Sequence, residues 1–93
     1  MLDLVEQIPA GRVMSYGVVA AYVDSRSARS VGAVLARWGS EVPWHRVVRA
    51  DGTPHGTGGE ALSLLAAESV PLAADGRRVQ MDAAAWTPGR RDA

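Results

Sequence analysis

Residues 15–38 read SYGVVAAYVDSRSARSVGAVLARW, and this stretch decides the fold class. Its first part, SYGVVAAYV, predicts a helix with Ser15 as N-cap, because a serine side chain can accept a hydrogen bond from the first turn. The apolar stripe of that helix would consist of Val18, Val19, Tyr22 and Val23. DSRS at 24–27 predicts a turn, and a further helix would run from about Ser27 to Trp38. Two helices with a four-residue turn between them indicate a helix-turn-helix.

The second of these helices has two distinct faces. A core stripe at helical spacing would be formed by Val31, Val34, Leu35 and Trp38. The opposite face carries small residues between two guanidinium groups: Arg29, Gly32, Ala33, Ala36 and Arg37. A glycine costs a helix about 1 kcal/mol relative to alanine, so Gly32 indicates close approach to something. Either another surface docks against this face or Gly32 packs against a second helix, and this feature alone does not separate the two.

The remaining segments predict short elements around that unit. Residues 1–7 predict a short helix. VVR at 47–49, ADG at 50–52 and TPHG at 53–56 predict a strand, a turn and a short return, which together make a small hairpin or wing. His55 is assigned to a loop. GGEALSLLAAES at 58–69 predicts a helix, and the residues expected toward its core are Leu62, Leu65 and Ala66.

The C-terminal part predicts a second hairpin about Asp75–Gly76, with Val79 and Met81 on one face. Trp86 is the last apolar anchor and, like Trp38, is assigned to packing. The predicted fold class is therefore mainly α, a winged helix-turn-helix DNA-binding domain with short β-hairpins. One domain would span residues 1–87, and 88–93 would be a flexible tail.

Composition limits the chemistry and the compartment. With no cysteine, a disulfide framework, a thiolate zinc site and a cysteine nucleophile are excluded, and a reducing cytoplasm is favoured. No run approaches the roughly 20 apolar residues that cross a bilayer, and the first residues are acidic where a secretory signal is basic. The expectation is a soluble cytoplasmic protein, associated with the nucleoid when bound to DNA, with no membrane partner.

Charge is balanced overall and uneven along the chain. Ten basic and ten acidic residues give zero net charge, which at first argues against nucleic acid. Between residues 9 and 49, however, six arginines accompany two acids, Asp24 and Glu41. All ten cationic residues are arginine, whose guanidinium favours phosphate contacts. A GC-rich genome also favours arginine over lysine, so the arginine-only composition is weak evidence for phosphate binding. The excess of arginine between residues 9 and 49 is the stronger evidence.

Several motifs resemble one family in order and spacing. They are IPAGRVMSYGVVAAYV (8–23), ARSVGAVLARW (28–38), VPWHRVV (42–48), DGT (51–53) and GTGGEALSLLAAES (56–69). Together they resemble the DNA-binding domain of the O6-alkylguanine-DNA alkyltransferases over about residues 5–70. In those enzymes the third motif reads Pro-Cys-His-Arg-Val, and the cysteine accepts the alkyl group irreversibly. Trp44 stands there in this chain, which resembles the cysteine-less alkyltransferase-like branch, as does RRVQMDAAAWTP at 77–88.

The resemblance implies a sensor of O6-alkylguanine that flips the damaged nucleotide from double-stranded DNA without alkyl transfer. It implies no enzyme activity, no cofactor and no metal, a monomer, and nucleotide excision repair proteins as partners. Arg29 would enter the base stack, Tyr16 would contact the phosphate 3′ to the lesion, and the second helix of the pair would enter the minor groove. The main-chain carbonyls of Trp44 and Val47 would contact the guanine amino group.

Two groups of site residues follow from the resemblance. The lesion pocket would consist of Tyr16, Trp44, His45, Arg46 and Val47. The DNA-binding residues would be Tyr16, Arg29, Ser30, Gly32, Ala33, Ala36 and Arg37. His45 and Glu68 match the residues that activate the cysteine in the enzymes, and with no cysteine present a structural role is expected for both.

Alternatives stand beside these roles. Arg29 could be a solvated surface residue, and Tyr16 or Trp44 could be core filling. As a whole, the chain could be a winged-helix transcription regulator, since fold does not determine function. A hydrolase using Ser40 or Ser63 with His45 lacks the nucleophile elbow. The chain also departs from the enzymes, because their hinge asparagine is replaced by Trp38 or lost, and the short wing lacks their tyrosine, which leaves adduct size open.

Overall fold

The computed structural model describes residues 2–23, 28–38, 41–56 and 59–88, and within the third helix the side chains of residues 28–30 and 38 lie outside the described part. The helices are α1 Leu2–Gln7, α2 Tyr16–Tyr22, α3 Ala28–Trp38, α4 Glu60–Ala67 and α5 Met81–Ala84. Two short strands, β1 Met14–Ser15 and β2 Val47–Val48, and a 3-10 helix, Trp44–Arg46, complete the order. The mainly helical class is confirmed. In these ranges no helix combines the length and apolarity needed to cross a membrane.

The predicted N-cap of α2 and the predicted core residues Val31 and Leu35 of α3 are found in the structure. Ser15 caps α2, since its Oγ accepts a hydrogen bond from the Val18 amide at 3.2 Å. α2 packs against α3, and Val31 and Leu35 of α3 are 1% and 3% exposed. Val34 is half-buried. The predicted turn at 24–27 and the Trp38 side chain lie outside the described residues.

The stripe predicted for α2 is wrong at Tyr22, which is 53% exposed. The buried side of α2 consists of Val19 and Ala20. With burial centred between these two, a rotation of about 100° per residue turns Tyr22 roughly 110° away from the core. Tyr22 is therefore a surface residue at the end of the helix.

The two strands form a parallel pair that sequence analysis did not predict. Met14 lies opposite Val47 and Ser15 opposite Val48, and all four residues are buried. In the chain order, β1 directly precedes α2 and β2 directly follows the 3-10 helix. The strand pair consequently fixes the start of the helix-turn-helix against the PWHR motif, although the two are far apart in the sequence.

The predicted wing forms around Asp51–Gly52. The Gly52 amide donates to the Arg49 carbonyl at 2.8 Å, and the Arg49 amide to Thr53 at 2.9 Å. One antiparallel bridge, Val48 to Pro54, closes it. Gly52 has φ +90°, and a Cβ there would lie 2.2 Å from the Val79 carbonyl oxygen. The wing is thus packed directly on the second hairpin.

That second hairpin is also confirmed, as a single bridge between Leu72 and Val79. The Ala73 amide donates to the Arg78 carbonyl at 2.7 Å across it. Val79 is buried, and Met81 packs against the same apolar cluster. Met81 does so as the first residue of α5, a helix that was not predicted, rather than as strand.

Among the residues that the structure describes, two apolar clusters make the core. One lies under α1, α2 and α3 and includes Trp86, which is 9% exposed and whose amide donates to the Val13 carbonyl at 2.8 Å, so its packing role is confirmed. The other lies under α4 and the second hairpin. In α4, Leu65 is buried and Leu62 half-buried, but the prediction for Ala66 is wrong. Ala66 is exposed and Ala61 is buried instead, because the inward side consists of the i, i+4 pair Ala61 and Leu65.

Candidate nucleic-acid interface

The PWHR motif forms a tight turn beside the core. Pro43 precedes the 3-10 helix Trp44–Arg46, and the Arg46 amide donates to the Pro43 carbonyl at 3.0 Å. A 3-10 helix advances about 120° per residue, so its three side chains point in three directions. Trp44 is half-buried at the edge of the first cluster, and His45 is 9% exposed. Val47, which follows, has its side chain fully inside the core.

Glu68 joins His45 to Arg46 behind this turn. Arg46 donates to Glu68 through Nε at 3.0 Å and Nη2 at 2.6 Å, and His45 Nε2 lies 3.0 Å from Glu68 Oε2. Arg46 Nη1 also donates to the Ile8 carbonyl at 2.8 Å. The Arg46 hydrogen bonds, followed by those of His45, lower the pKa of Glu68 from 4.5 to about 2. This network connects the turn to α4 and to the end of α1.

An aromatic cluster occupies the other side of the turn. The His55 ring lies between Tyr16 and Trp44, with centroid distances of 5.7 Å to each and interplanar angles of 77° and 64°. The Tyr16 hydroxyl and His55 Nδ1 are hydrogen-bonded. We call Tyr16, Trp44 and His55 the aromatic cluster. Edge-to-face packing of this kind is favourable for rings at such distances.

His55 is the site residue that sequence analysis missed. It was assigned to a loop, and no spacing rule connects it to Tyr16, which is 39 positions away. The usable signal was its place in the wing, since a wing packed beside the PWHR turn presents its side chains to that turn. The wing thus supplies one of the three rings.

Burial shifts the two titratable members of the cluster. It raises the pKa of the Tyr16 phenol from 10.0, and the nearby Arg49 guanidinium acts in the opposite direction. Burial lowers the pKa of His55 from 6.5, and Arg49 lowers it further. Tyr16 is therefore a neutral phenol at physiological pH, and His55 a neutral imidazole. Both lie within the electrostatic range of one arginine.

The outer face of α3 is open. Ala33, Ala36 and Arg37 are exposed, and a Cβ built on Gly32 meets no atom within 4 Å. Within the described ranges, no atom lies close enough to contact a Cβ at Gly32, so the structure gives no support to packing of this glycine against a second helix. Arg29 and Ser30 belong to α3, but their side chains lie outside the described part.

The predicted site residues thus fall into three places. Tyr16 and Trp44 meet at His55, whereas His45 and Arg46 meet at Glu68. The Val47 side chain is buried, so only its main chain could contact a ligand. The Val47 amide already donates to the Trp44 carbonyl. The small residues of α3 form a separate open face. Among the described residues, no group of three His, Cys, Asp or Glu is arranged to hold a metal.

A helix pair with one open helix face, a wing and an aromatic cluster between them defines a winged helix-turn-helix DNA-binding domain. Residues 1–70 match the model of the 6-O-methylguanine DNA methyltransferase, DNA binding domain, and the chain belongs to this family. The resemblance seen in the motifs is confirmed.

Individual relatives agree with that assignment. The chain is 51% identical over 59 residues to the DNA base-flipping protein of Escherichia coli K12, covering 60% of this chain and 46% of that protein. It is 46% identical over 54 residues to Alkyltransferase-like protein 1 of Schizosaccharomyces pombe, covering 55% of this chain and 50% of that protein. The chain thus spans about half the length of the curated relatives it matches.

Two solved structures share the fold. One is S. pombe Atl1 in complex with damaged DNA containing O6-carboxymethylguanine, with a TM-score of 0.78 and 29% identity. The other is S. pombe ATL in complex with DNA, with a TM-score of 0.77 and 32% identity. Each match covers 94% of this chain and 91% of the other. The winged helix-turn-helix fold is therefore that of DNA-bound relatives.

Proposed function

We propose that this chain is a non-enzymatic sensor that binds O6-alkylguanine in double-stranded DNA by flipping the damaged nucleotide, without transferring the alkyl group. The observation that carries the proposal is Trp44 in the PWHR turn, in the aromatic cluster and in a chain without cysteine. Similarity to Atl1, whose structure contains O6-carboxymethylguanine in DNA, supports the choice of lesion.

Trp44 cannot accept an alkyl group from guanine. Displacement of an alkyl group needs a nucleophile such as a thiolate. An indole offers one N–H donor and no comparable lone pair. His45 and Glu68 retain a 3.0 Å contact, but Glu68 also accepts two hydrogen bonds from Arg46. In this chain the pair therefore has a structural role.

The Trp44 indole also provides a flat apolar surface against which the base can pack. A tryptophan can bury about 150–250 Å², and its flat face suits an apolar O6 substituent. Because a base within a duplex cannot reach this surface, the nucleotide must rotate out at a cost of a few kcal/mol, which is lower for a weakened alkylguanine pair. The Trp44 and Val47 carbonyls accept hydrogen bonds from the guanine amino group. Tyr16 contacts the phosphate 3′ to the lesion.

The open face of α3 contacts the DNA. A minor groove about 6 Å wide admits a helix only where side chains are small or the groove is widened, and this face presents Gly32, Ala33 and Ala36. Arg37 contacts the backbone beside them, together with Ser30. Arg29 enters the stack and fills the space that the flipped base leaves. The α3 face would then contact the duplex while the aromatic cluster contacts the flipped base.

The assembly and its cellular setting follow from this function. A monomer is sufficient, since one chain carries both the α3 face and the pocket. The bound, distorted duplex would be shielded from a true alkyltransferase and passed to nucleotide excision repair proteins. The protein would act in the cytoplasm, at the nucleoid.

Competition binding tests the proposal directly. Two duplexes of identical sequence, one with O6-methylguanine and one with guanine, compete for the protein at fixed ionic strength. We expect clear preference for the alkylated duplex, together with no transfer of radiolabelled methyl groups to the protein. Equal affinities would refute lesion recognition, and preference for one undamaged sequence over another would favour a transcription regulator. Labelled protein would refute the non-enzymatic part.

A further inference from the structure

The aromatic cluster contains a polar arrangement that the proposed function does not explain. Tyr16 is hydrogen-bonded to His55, so its hydroxyl already has a partner before any DNA binds. Arg49, at the base of the wing, acts electrostatically on both residues. A phenol and an imidazole thus meet beside Trp44, within the electrostatic range of the Arg49 guanidinium. Three such groups suit an anion, because each can donate a hydrogen bond or carry positive charge.

The structure also limits what His55 can do. Its one hydrogen bond within the described ranges is the one to Tyr16. The groups facing His55 there are Tyr16 from α2, Arg49 from the wing and the uncharged indole of Trp44. His45 lies beyond Trp44, against Glu68. No carboxylate therefore stabilises a charged imidazole within this part of the chain, and burial favours the neutral form of His55 by lowering its pKa.

We propose that His55 is a positioning residue for Tyr16, and that it takes up one proton when Tyr16 engages a DNA phosphate. The inference rests on the proposed function, which places a phosphate at Tyr16. In the free protein the neutral Nδ1 accepts a hydrogen bond from the Tyr16 hydroxyl. In the complex, that hydroxyl donates to a phosphate oxygen, and its own oxygen then accepts a hydrogen bond from Nδ1–H of the imidazolium.

The proton balance is simple. One proton comes from solvent and binds to His55, and no covalent bond other than N–H forms. Two successive hydrogen bonds, each with about 2.8 Å between heavy atoms, place the phosphate oxygen about 5 Å from Nδ1. An opposite charge within about 4–6 Å favours a charged group. The phosphate consequently supplies the counter-charge that the empty site lacks.

The sign of the pH dependence follows. Burial and Arg49 lower the pKa of His55 in the free protein from 6.5, and the phosphate raises it in the complex. Between these two pKa values, binding consumes a proton, so affinity falls as pH rises. Above the higher value, affinity becomes constant. A difference of one unit between the two pKa values corresponds to about tenfold in affinity.

The test compares wild type with His55→Asn on an O6-methylguanine duplex between pH 5.5 and 8.5 at constant ionic strength. Asparagine places an amide near the position of Nδ1 and hydrogen-bonds Tyr16, but it does not titrate. We expect wild-type affinity to fall by about tenfold over the range, whereas His55→Asn shows only the shallow dependence of the other groups. Identical pH profiles for the two proteins would overturn the inference.

A second measurement does not depend on the variant. Calorimetric titration of wild type in buffers of different ionisation enthalpy reports protons taken up on binding, and the ¹⁵N shifts of the His55 ring report which nitrogens are protonated. Uptake with both ring nitrogens protonated in the complex supports the inference, whereas a neutral ring in the complex overturns it. If wild type shows no preference for the alkylated duplex at any pH, the proposed function has failed instead.

Discussion

Nε2 of His45 and Oε2 of Glu68 lie 3.0 Å apart in a chain that has no cysteine for them to activate. Their geometry persists because Glu68 also binds Arg46, so the pair still connects the PWHR turn to α4. This relationship holds both side chains in place beside Trp44 without a cysteine. It can be tested by placing a sulfur at position 44.

Trp44→Cys should therefore regain slow, stoichiometric methyl transfer. The sulfur would form a bond to the methyl carbon as the bond from that carbon to guanine O6 breaks. The measurement is radiolabel carried from O6-methylguanine DNA to the protein, with Trp44→Ser as the matched variant without a thiolate. His45→Phe in the cysteine background should reduce the transfer. If the Trp44→Cys protein binds the lesion but transfers no methyl group, this chain differs from the alkyltransferases in more than the missing cysteine.

Arg29→Ala should weaken binding to the alkylated duplex about 10- to 100-fold, or about 1.4–2.8 kcal/mol, because nothing then fills the space of the flipped base. Fluorescence anisotropy with labelled duplexes measures this change. Arg77→Ala, on the exposed turn of the second hairpin, removes an equal charge from a different element and should change affinity little. If the two variants bind alike, Arg29 has no part in the mechanism.

Gly32→Ala and Gly32→Leu should separate stability from binding. Alanine should stabilise the fold by up to about 1 kcal/mol, because a Cβ at this position meets no atom within 4 Å. Leucine should fold as well and yet bind DNA much more weakly, since its side chain would stand between α3 and the groove. Chemical denaturation and anisotropy measure the two effects. Ala66→Leu on the exposed side of α4 is the control, and a Gly32→Leu variant with normal affinity would remove α3 from the interface.

Gly52→Ala should destabilise the protein by more than about 3 kcal/mol. Its φ of +90° disfavours a side chain, and the added Cβ would lie 2.2 Å from the Val79 carbonyl oxygen. Gly56→Ala isolates the first of these costs, because Gly56 has φ +83° with no atom within 4 Å of a Cβ. That control should cost only about 1–2 kcal/mol. Equal losses in urea denaturation would mean that the wing moves off the second hairpin at little cost.

Glu68→Gln should cost about 1–2 kcal/mol at pH 7, a value reduced for partial exposure of the ion pair. The folded protein depresses the pKa of this carboxyl from 4.5 to about 2. Its contribution is consequently present above pH 4.5 and is lost as pH falls toward 2. Denaturation of both proteins across this range should show their stabilities converging. Asp75→Asn, in an exposed pair with Arg78, should show a much smaller difference, and a constant gap for Glu68→Gln would contradict the ionic origin.

Much of the helical framework could be predicted because its signals are local. Ser15 caps α2 through a hydrogen bond within its own first turn, and Val31 and Leu35 repeat at helical spacing. The turns at Gly52 and Gly76 depend on residues that tolerate positive φ. Errors occurred where burial depends on a neighbour. Tyr22 and Ala66 fit an apolar pattern, but the packing of α2 and α4 left both on the surface.

The motif around Trp44 was equally visible, since the absence of cysteine is a property of composition. The sequence by itself determined the helix-turn-helix, the wing, the family and the lack of a thiol in the PWHR turn. Only the tertiary structure decided that Met14 pairs with Val47, that Gly32 faces open space and that His55 joins Tyr16 to Trp44. The physical reason is that capping, turn conformation and side-chain reactivity depend on adjacent residues. Strand pairing and ring contacts depend instead on which distant segments the core brings together.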